Sequence, residues 1–307
     1  MKSSEAPRIH LGPEASGNWL EDAVVAGGGQ LVAPEDCEAI VWGDARKVTE
    51  LNEVLGRAGN ARWVQLPFAG IENFVENLDH DHIWTCGKGV YAEPVAELAL
   101  ALGIAGLRSL NTYARADKWT RPAGVNLLKG RVTILGGGGI TESLVRLLQP
   151  WKCHITVVRN RVRAMDGVDD VLEAERFADG LPGADLVVLA LPLTADTEGM
   201  FSHEEFGLME EHAWIVNVAR GKHIVTDDLV EALRSGAIGG AGLDVTDPEP
   251  LPDEHPLWSL PNCIITPHVG NTPDMAIPLL SARVTENVRR FGAGDDLIGL
   301  VDVDAGY

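Results

Sequence analysis

Basic residues are scarce in this chain. Its 307 residues include 25 Lys and Arg against 45 Asp and Glu, which gives a formal net charge of −20 at pH 7. A field of that sign repels nucleic-acid phosphates and anionic membranes. The charge therefore predicts that neither a nucleic acid nor a membrane surface is a partner.

Cysteines and long apolar runs are also scarce. The four cysteines are widely scattered and form no CxxC pair or Cys/His cluster, which argues against a disulfide framework and against structural zinc. We therefore expect no metal and a reducing, cytoplasmic location. The first residues lack the apolar core of an export signal, and no segment reaches the roughly 20 apolar residues of a membrane span.

Short apolar runs alternate with helical patterns along two stretches of the chain. In the first hundred residues RIHLG, CEAIVWG, RWVQLP and HIWTC predict strands. From residue 130, about six more runs alternate with helices, one of them predicted around VLEAERF. Continuous apolar runs are typical of parallel strands covered on both faces. The fold class is therefore α/β, with a small sheet domain and a doubly wound dinucleotide-binding domain.

The domain arrangement follows from where these patterns begin and end. Residues 93–110 form one long helical pattern, apolar nearly all round, which is typical of a helix between two bodies. The last helical stretch, MAIPLLSARVTENVRRF, returns the chain to the first unit. We predict a dinucleotide-binding domain at 103–275 inserted in a discontinuous outer domain of 1–102 and 276–307. The irregular stretch 111–127 is either a surface loop or an arm that packs on a partner subunit.

Four consecutive glycines follow the strand RVTIL directly and open a helix. Such a turn lets the backbone approach a pyrophosphate, and the helix N-terminus offers N–H groups to it. Thr141 stands where the third glycine of the usual motif would be. We expect the dinucleotide to bind at Gly136, Gly138, Gly139 and Ile140.

The residues after the next strand bear on the choice of cofactor. HITVV is followed by Arg159, Asn160 and Arg161, with no acidic residue to bind free ribose hydroxyls. In such an acidic chain this basic stretch is either a solvated turn or a site for the 2′-phosphate of NADP. We expect NADP as the preferred cofactor, with NAD as the alternative.

Three polar residues follow three later strands. Arg220 comes after WIVNVA, Glu249 lies within DVTDPEP, and His268 ends IITPH. Each residue taken singly is typical of a structural role. Ligands of doubly wound folds bind beyond the carboxyl ends of the strands. Three such residues at one edge of a sheet therefore indicate a catalytic site.

The chain resembles the D-isomer-specific 2-hydroxyacid dehydrogenases, which include glyoxylate/hydroxypyruvate reductases and phosphoglycerate dehydrogenases. The resemblance runs from about Leu66 to Arg290 and is densest in VNVARGKHIVTDDLVEAL, AGLDVTDPEPLPDEHPLWSLPN and TPHVG. It implies a flavodoxin-like outer domain around a Rossmann domain. It also implies a homodimer and hydride transfer between NADP(H), or else NAD(H), and a small 2-keto or D-2-hydroxy acid.

The resemblance implies roles for individual residues. Arg220 would grip the substrate carboxylate, His268 would act as the acid, and Glu249 would hold the His268 ring. In the outer domain it implies carboxylate binding by the backbone of Ala69 and Gly70, with Lys88 at the pocket mouth. Beside His268, the residues implied on the cofactor side are Leu191, Pro192, Val218, Ala219 and Asp244.

Other functions remain open at this point. They are a phosphoglycerate dehydrogenase-like enzyme, a formate dehydrogenase of the same fold, and a noncatalytic, dinucleotide-sensing corepressor-like protein. Formate dehydrogenases of this fold do not use a His/Glu pair as acid and base, whereas this chain has both residues. A corepressor need not keep Arg220, Glu249 and His268 together. Departures from the family pattern at Lys88, Ala190 and Thr246 bear on the substrate rather than on the reaction.

Overall fold

The computed structural model describes residues 5–14 and 18–306. The chain divides into two compact α/β units, Met1–Tyr91 with Thr272–Tyr307, and Ala92–Asn271. These divisions lie at 91/92 and 271/272, whereas the sequence predicted 102/103 and 275/276.

The first unit is built around one parallel sheet. Its elements are β1 (Arg8–Gly12), α1 (Asn18–Ala26), β2 (Gln30–Leu31), β3 (Ala39–Trp42), α2 (Val48–Arg57), β4 (Trp63–Gln65), β5 (Ile83–Thr85) and, from the end of the chain, α8 (Pro273–Ala293). The strand order is β2-β1-β3-β4-β5. This is the order of flavodoxin-like folds, so the predicted outer-domain fold is confirmed.

A chain of buried polar side chains links α8 to this sheet. Trp63 donates to the Thr85 hydroxyl at 2.7 Å, and that hydroxyl donates to Gln65 Oε1 at 2.9 Å. Asn287 of α8 donates to the same Gln65 oxygen at 2.8 Å. Because buried polar groups without partners are costly, this network favours one register of α8 on the sheet.

The second unit contains a larger parallel sheet. Its elements are α3 (Ala92–Leu107), α4 (Leu110–Ala114), β6 (Arg131–Leu135), α5 (Gly139–Leu148), β7 (His154–Val158), β8 (Asp170–Leu172), β9 (Leu186–Leu189), α6 (His203–Phe206), β10 (Trp214–Asn217), α7 (Thr226–Ser235), β11 (Gly240–Leu243) and β12 (Cys263–Ile265). The strand order is β12-β11-β10-β9-β6-β7-β8. The predicted doubly wound Rossmann fold is therefore confirmed, with its change of direction between β6 and β9.

The helix predicted around VLEAERF is wrong. Residues Asp170–Leu172 form the edge strand β8, and a 3₁₀ helix follows at Ala174–Gly180. β8 pairs with β7, with Leu172 opposite Val158. Pairing with the sheet edge satisfies backbone groups that a short isolated helix would leave to water, so tertiary context overrides the local pattern.

The most apolar helix, α3, belongs to the second unit. It packs against α5, β10 and β11 through small buried residues such as Ala96, Ala99 and Gly103. Because α3 packs in the second unit, the first division between the units lies at 91/92 and not at the predicted 102/103. Within residues 5–14 and 18–306, no helix combines the length and apolar character that a bilayer crossing requires.

Candidate active site

The glycine-rich turn lies between β6 and α5. Gly136 has φ +116°, and a Cβ there would lie 2.1 Å from the Ala190 carbonyl oxygen, so only glycine fits where this turn meets the turn after β9. Around Gly138, by contrast, a Cβ would meet no described atom within 4 Å. Thr141 is buried, and its hydroxyl donates to the Gly136 carbonyl at 2.9 Å. The turn is thus tight on its inner side and open at Gly138.

Arg159 packs on this turn from the end of β7. A Cβ on Gly137 would lie 2.6 Å from Arg159 Nε. That Nε is buried and has no hydrogen-bond partner in the described part of the chain. A buried charged N–H without an acceptor is costly, and an anionic ligand at this turn would satisfy it. An open glycine face beside this guanidinium fits a dinucleotide, while Asn160 and Arg161 follow with exposed side chains.

The other predicted cofactor residues follow neighbouring strands. Leu191 and Pro192 come after β9, and the buried Val218 and Ala219 come after β10. β6, β9 and β10 are adjacent in the sheet. The structure therefore brings these turns and the glycine turn to one edge of the sheet, at the carboxyl ends of the strands.

Arg220 is held by the residues around it. Asn217, fully buried at the end of β10, donates to the Arg220 carbonyl at 2.8 Å and accepts from the Ala219 N–H at 3.0 Å. The half-buried Arg220 side chain donates to the Ala219 carbonyl at 2.7 Å. A Cβ on Gly221 would lie 2.0 Å from Thr246 backbone atoms. Glycine at this position therefore lets the Arg220 turn press against the turn that leads to Glu249.

His268 and Glu249 form a close pair. His268 Nδ1 lies 2.6 Å from Glu249 Oε1, and both side chains are largely exposed. His268 has φ +52°, an uncommon conformation for a residue other than glycine. A carboxylate at this distance orients the ring. An imidazole can accept or donate a proton, so the pair places such a group at the edge of the sheet.

Asp244, at the end of β11, holds the turn that carries His268. Its Oδ1 accepts from the Thr266 hydroxyl at 2.5 Å and from the Val269 N–H at 2.8 Å. Its Oδ2 accepts from the Gly270 N–H at 2.8 Å. The buried Asp244 carboxylate thus fixes the backbone that follows His268 and the Thr266 side chain that precedes it.

The predicted substrate residues of the outer unit lie on two turns that contact each other. Gly87 donates to the Phe68 carbonyl at 3.0 Å, which joins its turn to the one carrying Ala69 and Gly70. The Arg283 guanidinium of α8 donates to the Lys88 carbonyl at 3.2 Å. Burial lowers the pKa of Arg283. The Lys88 side chain is exposed.

Three residues that support this site were not predicted from the sequence. Asn217 and Thr266 position the turns of Arg220 and His268, and the buried His223 bonds to the segment after β9. The asparagine three residues before Arg220 was the only local signal. The other two contacts join residues 22 or more positions apart.

The chain is similar to a known protein family and to individual proteins. Residues 96–270 match the family model described as D-isomer specific 2-hydroxyacid dehydrogenase, NAD binding domain. An uncharacterised protein of Corynebacterium melassecola is 37% identical over 93% of this chain and 95% of its own length. A glyoxylate/hydroxypyruvate reductase A of Serratia proteamaculans is 30% identical over 83% of this chain and 85% of its own.

A solved structure supports the same assignment. The D-isomer specific 2-hydroxyacid dehydrogenase from Xanthobacter autotrophicus Py2, crystallised with NADPH and MES, superposes with a TM-score of 0.85 at 25% identity. The match covers 99% of this chain and 100% of that one. The resemblance found in the sequence is thereby confirmed. This chain belongs to the D-isomer specific 2-hydroxyacid dehydrogenase family and is an oxidoreductase with an NAD(P)-binding domain.

Proposed function

We propose that this protein reduces a small 2-keto acid to the D-2-hydroxy acid with NADPH, as a glyoxylate/hydroxypyruvate-type reductase. The observation that carries the proposal is the 2.6 Å contact between His268 Nδ1 and Glu249 Oε1 at the carboxyl edge of the larger sheet. The name of the Serratia relative and the NADPH in the Xanthobacter structure support the substrate class and the cofactor.

His268 is the proposed proton donor. Because its Nδ1 faces Glu249, Nε2 is the ring atom that turns to the substrate. Glu249 holds the ring in this orientation through the contact with Nδ1. Nε2–H then passes its proton to the keto oxygen as that oxygen gains negative charge. The nicotinamide, when bound, supplies the hydride.

Arg220 is the proposed carboxylate-binding residue. Its backbone carbonyl is held by Asn217 and its Nη1 by the Ala219 carbonyl. A guanidinium fixed in this way presents a planar fork that matches a carboxylate. In the outer unit, the proposed substrate-binding residues are Ala69 and Gly70, through their backbone N–H groups, and Lys88.

The cofactor is proposed to lie along the turns after β6, β7, β9 and β10. Arg159 and Arg161, with Asn160 between them, would bind the 2′-phosphate, because the buried Arg159 Nε calls for an acceptor. This supports NADP as the preferred cofactor over NAD. The remaining proposed contacts are the glycine turn (Gly136, Gly138, Gly139, Ile140) and the nicotinamide side (Leu191, Pro192, Val218, Ala219, Asp244).

We also propose a homodimer. Trp119 lies in the irregular stretch after α4 and is fully exposed, at 101% of its reference area. Leu110, which begins α4, and Leu128, which follows the stretch, are also exposed. Exposed large apolar side chains grouped on one segment are typical of an interface, which supports an arm that packs on a second copy of the chain.

A cytoplasmic location is proposed on the chemistry of the cysteines. All four, each within the described ranges, are free thiols. Burial raises the pKa of each, and that of Cys263 to about 12, so they are poor nucleophiles. Free thiols of this kind are typical of proteins of a reducing compartment.

A substrate panel tests the proposed function. We expect steady NADPH oxidation with glyoxylate or hydroxypyruvate. Turnover confined to phosphohydroxypyruvate would favour the phosphoglycerate dehydrogenase-like alternative. Tight NADPH binding without turnover of any 2-keto acid would favour the corepressor-like alternative and contradict the proposal.

A further inference from the structure

His223 is fully buried in the second unit, three residues after Arg220. Both of its ring nitrogens lie within hydrogen-bond distance of a backbone carbonyl. Nδ1 is 3.0 Å from the Thr197 oxygen, and Nε2 is 3.2 Å from the Leu191 oxygen. Both carbonyls belong to the segment after β9, so one imidazole links the turn after β10 to the turn after β9.

Backbone hydrogen bonds join the same two segments farther along. Gly199 donates to the Lys222 carbonyl at 2.8 Å, and Phe201 donates to the His223 carbonyl at 2.9 Å. These bonds hold Gly199 and Phe201, in the later part of the segment after β9. The His223 ring contacts Leu191, at the beginning of the same segment.

Leu191 lies where the sheet changes direction. A Cβ on Gly136 would be 2.1 Å from the Ala190 oxygen and 3.1 Å from Leu191 N, so the glycine turn touches this peptide directly. Gly136 therefore contacts the Ala190–Leu191 peptide, and His223 faces the oxygen of the next peptide, Leu191–Pro192. Because tightly packed backbones move together, a movement of these adjacent peptides would change the shape of the glycine turn.

We propose that His223 is a positioning residue for the dinucleotide. Its Nε2–H donates to the Leu191 carbonyl and holds the peptide that follows the one in contact with the glycine turn. In the neutral ring Nδ1 then carries no proton and makes no hydrogen bond to the Thr197 carbonyl. The inference rests on the proposed function, in which Leu191 and the glycine turn border the cofactor. It requires a proton on Nε2, since a carbonyl oxygen accepts but cannot donate.

Two substitutions separate the two contacts. In His223→Gln the amide nitrogen replaces Nε2 and keeps a donor to the Leu191 carbonyl. In His223→Asn the amide nitrogen replaces Nδ1, so the Leu191 carbonyl loses its donor. We expect His223→Gln to bind NADPH within about twofold of the unmodified protein in a titration without keto acid. His223→Asn is expected to bind roughly three- to tenfold more weakly, the effect of one net hydrogen bond.

The thermal unfolding midpoint is the control, since it shows whether each variant is folded at the temperature of the NADPH titration. Two folded variants with different NADPH affinities are the expected pattern. Equal NADPH affinities would overturn the inference. Failure of the unmodified protein to bind either NADPH or NADH would instead overturn the proposed function.

A measurement on the unmodified protein is independent of how the variants fold. Nitrogen NMR of histidine-labelled protein reports which ring nitrogen of His223 carries a proton. We expect a protonated Nε2 whose hydrogen exchange slows when NADPH is added. An Nε2 without a proton would exclude the proposed contact.

Discussion

His268 faces Glu249 across 2.6 Å while its own backbone occupies the left-handed region, at φ +52°. The Asp244 carboxylate holds that backbone through the N–H groups of Val269 and Gly270. The orientation of the ring therefore depends both on the turn that carries His268 and on Glu249. A test of its chemistry should change the ring and leave the turn intact.

His268→Asn meets that condition, because asparagine tolerates the left-handed conformation better than most residues. We expect kcat to fall by roughly 10²- to 10⁴-fold, the range typical of a lost general acid, with NADPH affinity and the unfolding midpoint nearly unchanged. Glu249→Gln should lower kcat less, since the ring keeps a hydrogen-bond partner. Turnover of His268→Asn close to that of the unmodified protein would exclude the proposed acid.

Arg159→Asp should reverse the cofactor preference. Charge-assisted hydrogen bonds from Arg159 and Arg161 are each worth on the order of 1.5 to 3 kcal/mol, which predicts about ten- to thousandfold selectivity for NADPH. The acid would repel the 2′-phosphate and accept from free ribose hydroxyls. The check is kcat/KM for both cofactors, with Arg163→Ala as the control. A kcat/KM for NADH equal to or higher than that for NADPH in the unmodified protein would refute the proposed NADPH preference.

Gly136→Ala and Gly138→Ala should fail in different ways. At Gly136 the methyl group meets the Ala190 carbonyl at a φ of +116°, so we expect a loss of roughly 2 to 4 kcal/mol in the free energy of unfolding. At Gly138 φ is −97° and the space is open. Its unfolding should change by less than about 0.5 kcal/mol, while NADPH binding weakens. Denaturant unfolding and NADPH titration separate the two effects. Similar stability losses in both variants would mean that Gly136 is no more confined than Gly138.

Trp119→Ala should weaken self-association. We expect the unmodified protein to sediment at twice the chain mass of 32.9 kDa. The variant should dissociate at micromolar concentration, because a buried interface tryptophan contributes about 2 kcal/mol or more. Trp258→Ala, at an exposed tryptophan of the same unit, is the control. A monomeric mass for the unmodified protein would refute the dimer.

Lys88→Ala should raise KM selectively for 2-keto acids that carry a second anionic group. Arg283 holds the Lys88 backbone, so the loop keeps its shape in the variant. KM for such a substrate is expected to rise about five- to tenfold, and KM for glyoxylate to stay within twofold. Lys47→Ala, which removes an ion-paired lysine of the same unit, is the control. An equal change for both substrates would mean that Lys88 does not discriminate.

Most of the fold was predictable because its signals are local. A parallel strand covered on both faces must be apolar along its length, so β3, β9 and β10 stand out as continuous runs. The glycine turn and the polar residues after β10, β11 and β12 follow from the chain order alone. The short edge strand β8 was not predictable in this way, because its hydrogen bonds are made with a neighbouring strand.

The sequence by itself determined the fold class, the family, and the residues Arg220, Glu249 and His268 as candidates for catalysis. Only the tertiary structure decided how they are held: Asp244 against the His268 turn, Asn217 against the Arg220 turn, and His223 against carbonyls 26 and 32 residues away in the chain. Sequence patterns report which residues are buried. The hydrogen-bond partner of a buried polar group depends on which segments the fold brings together. No local sequence pattern encodes which distant segments become neighbours.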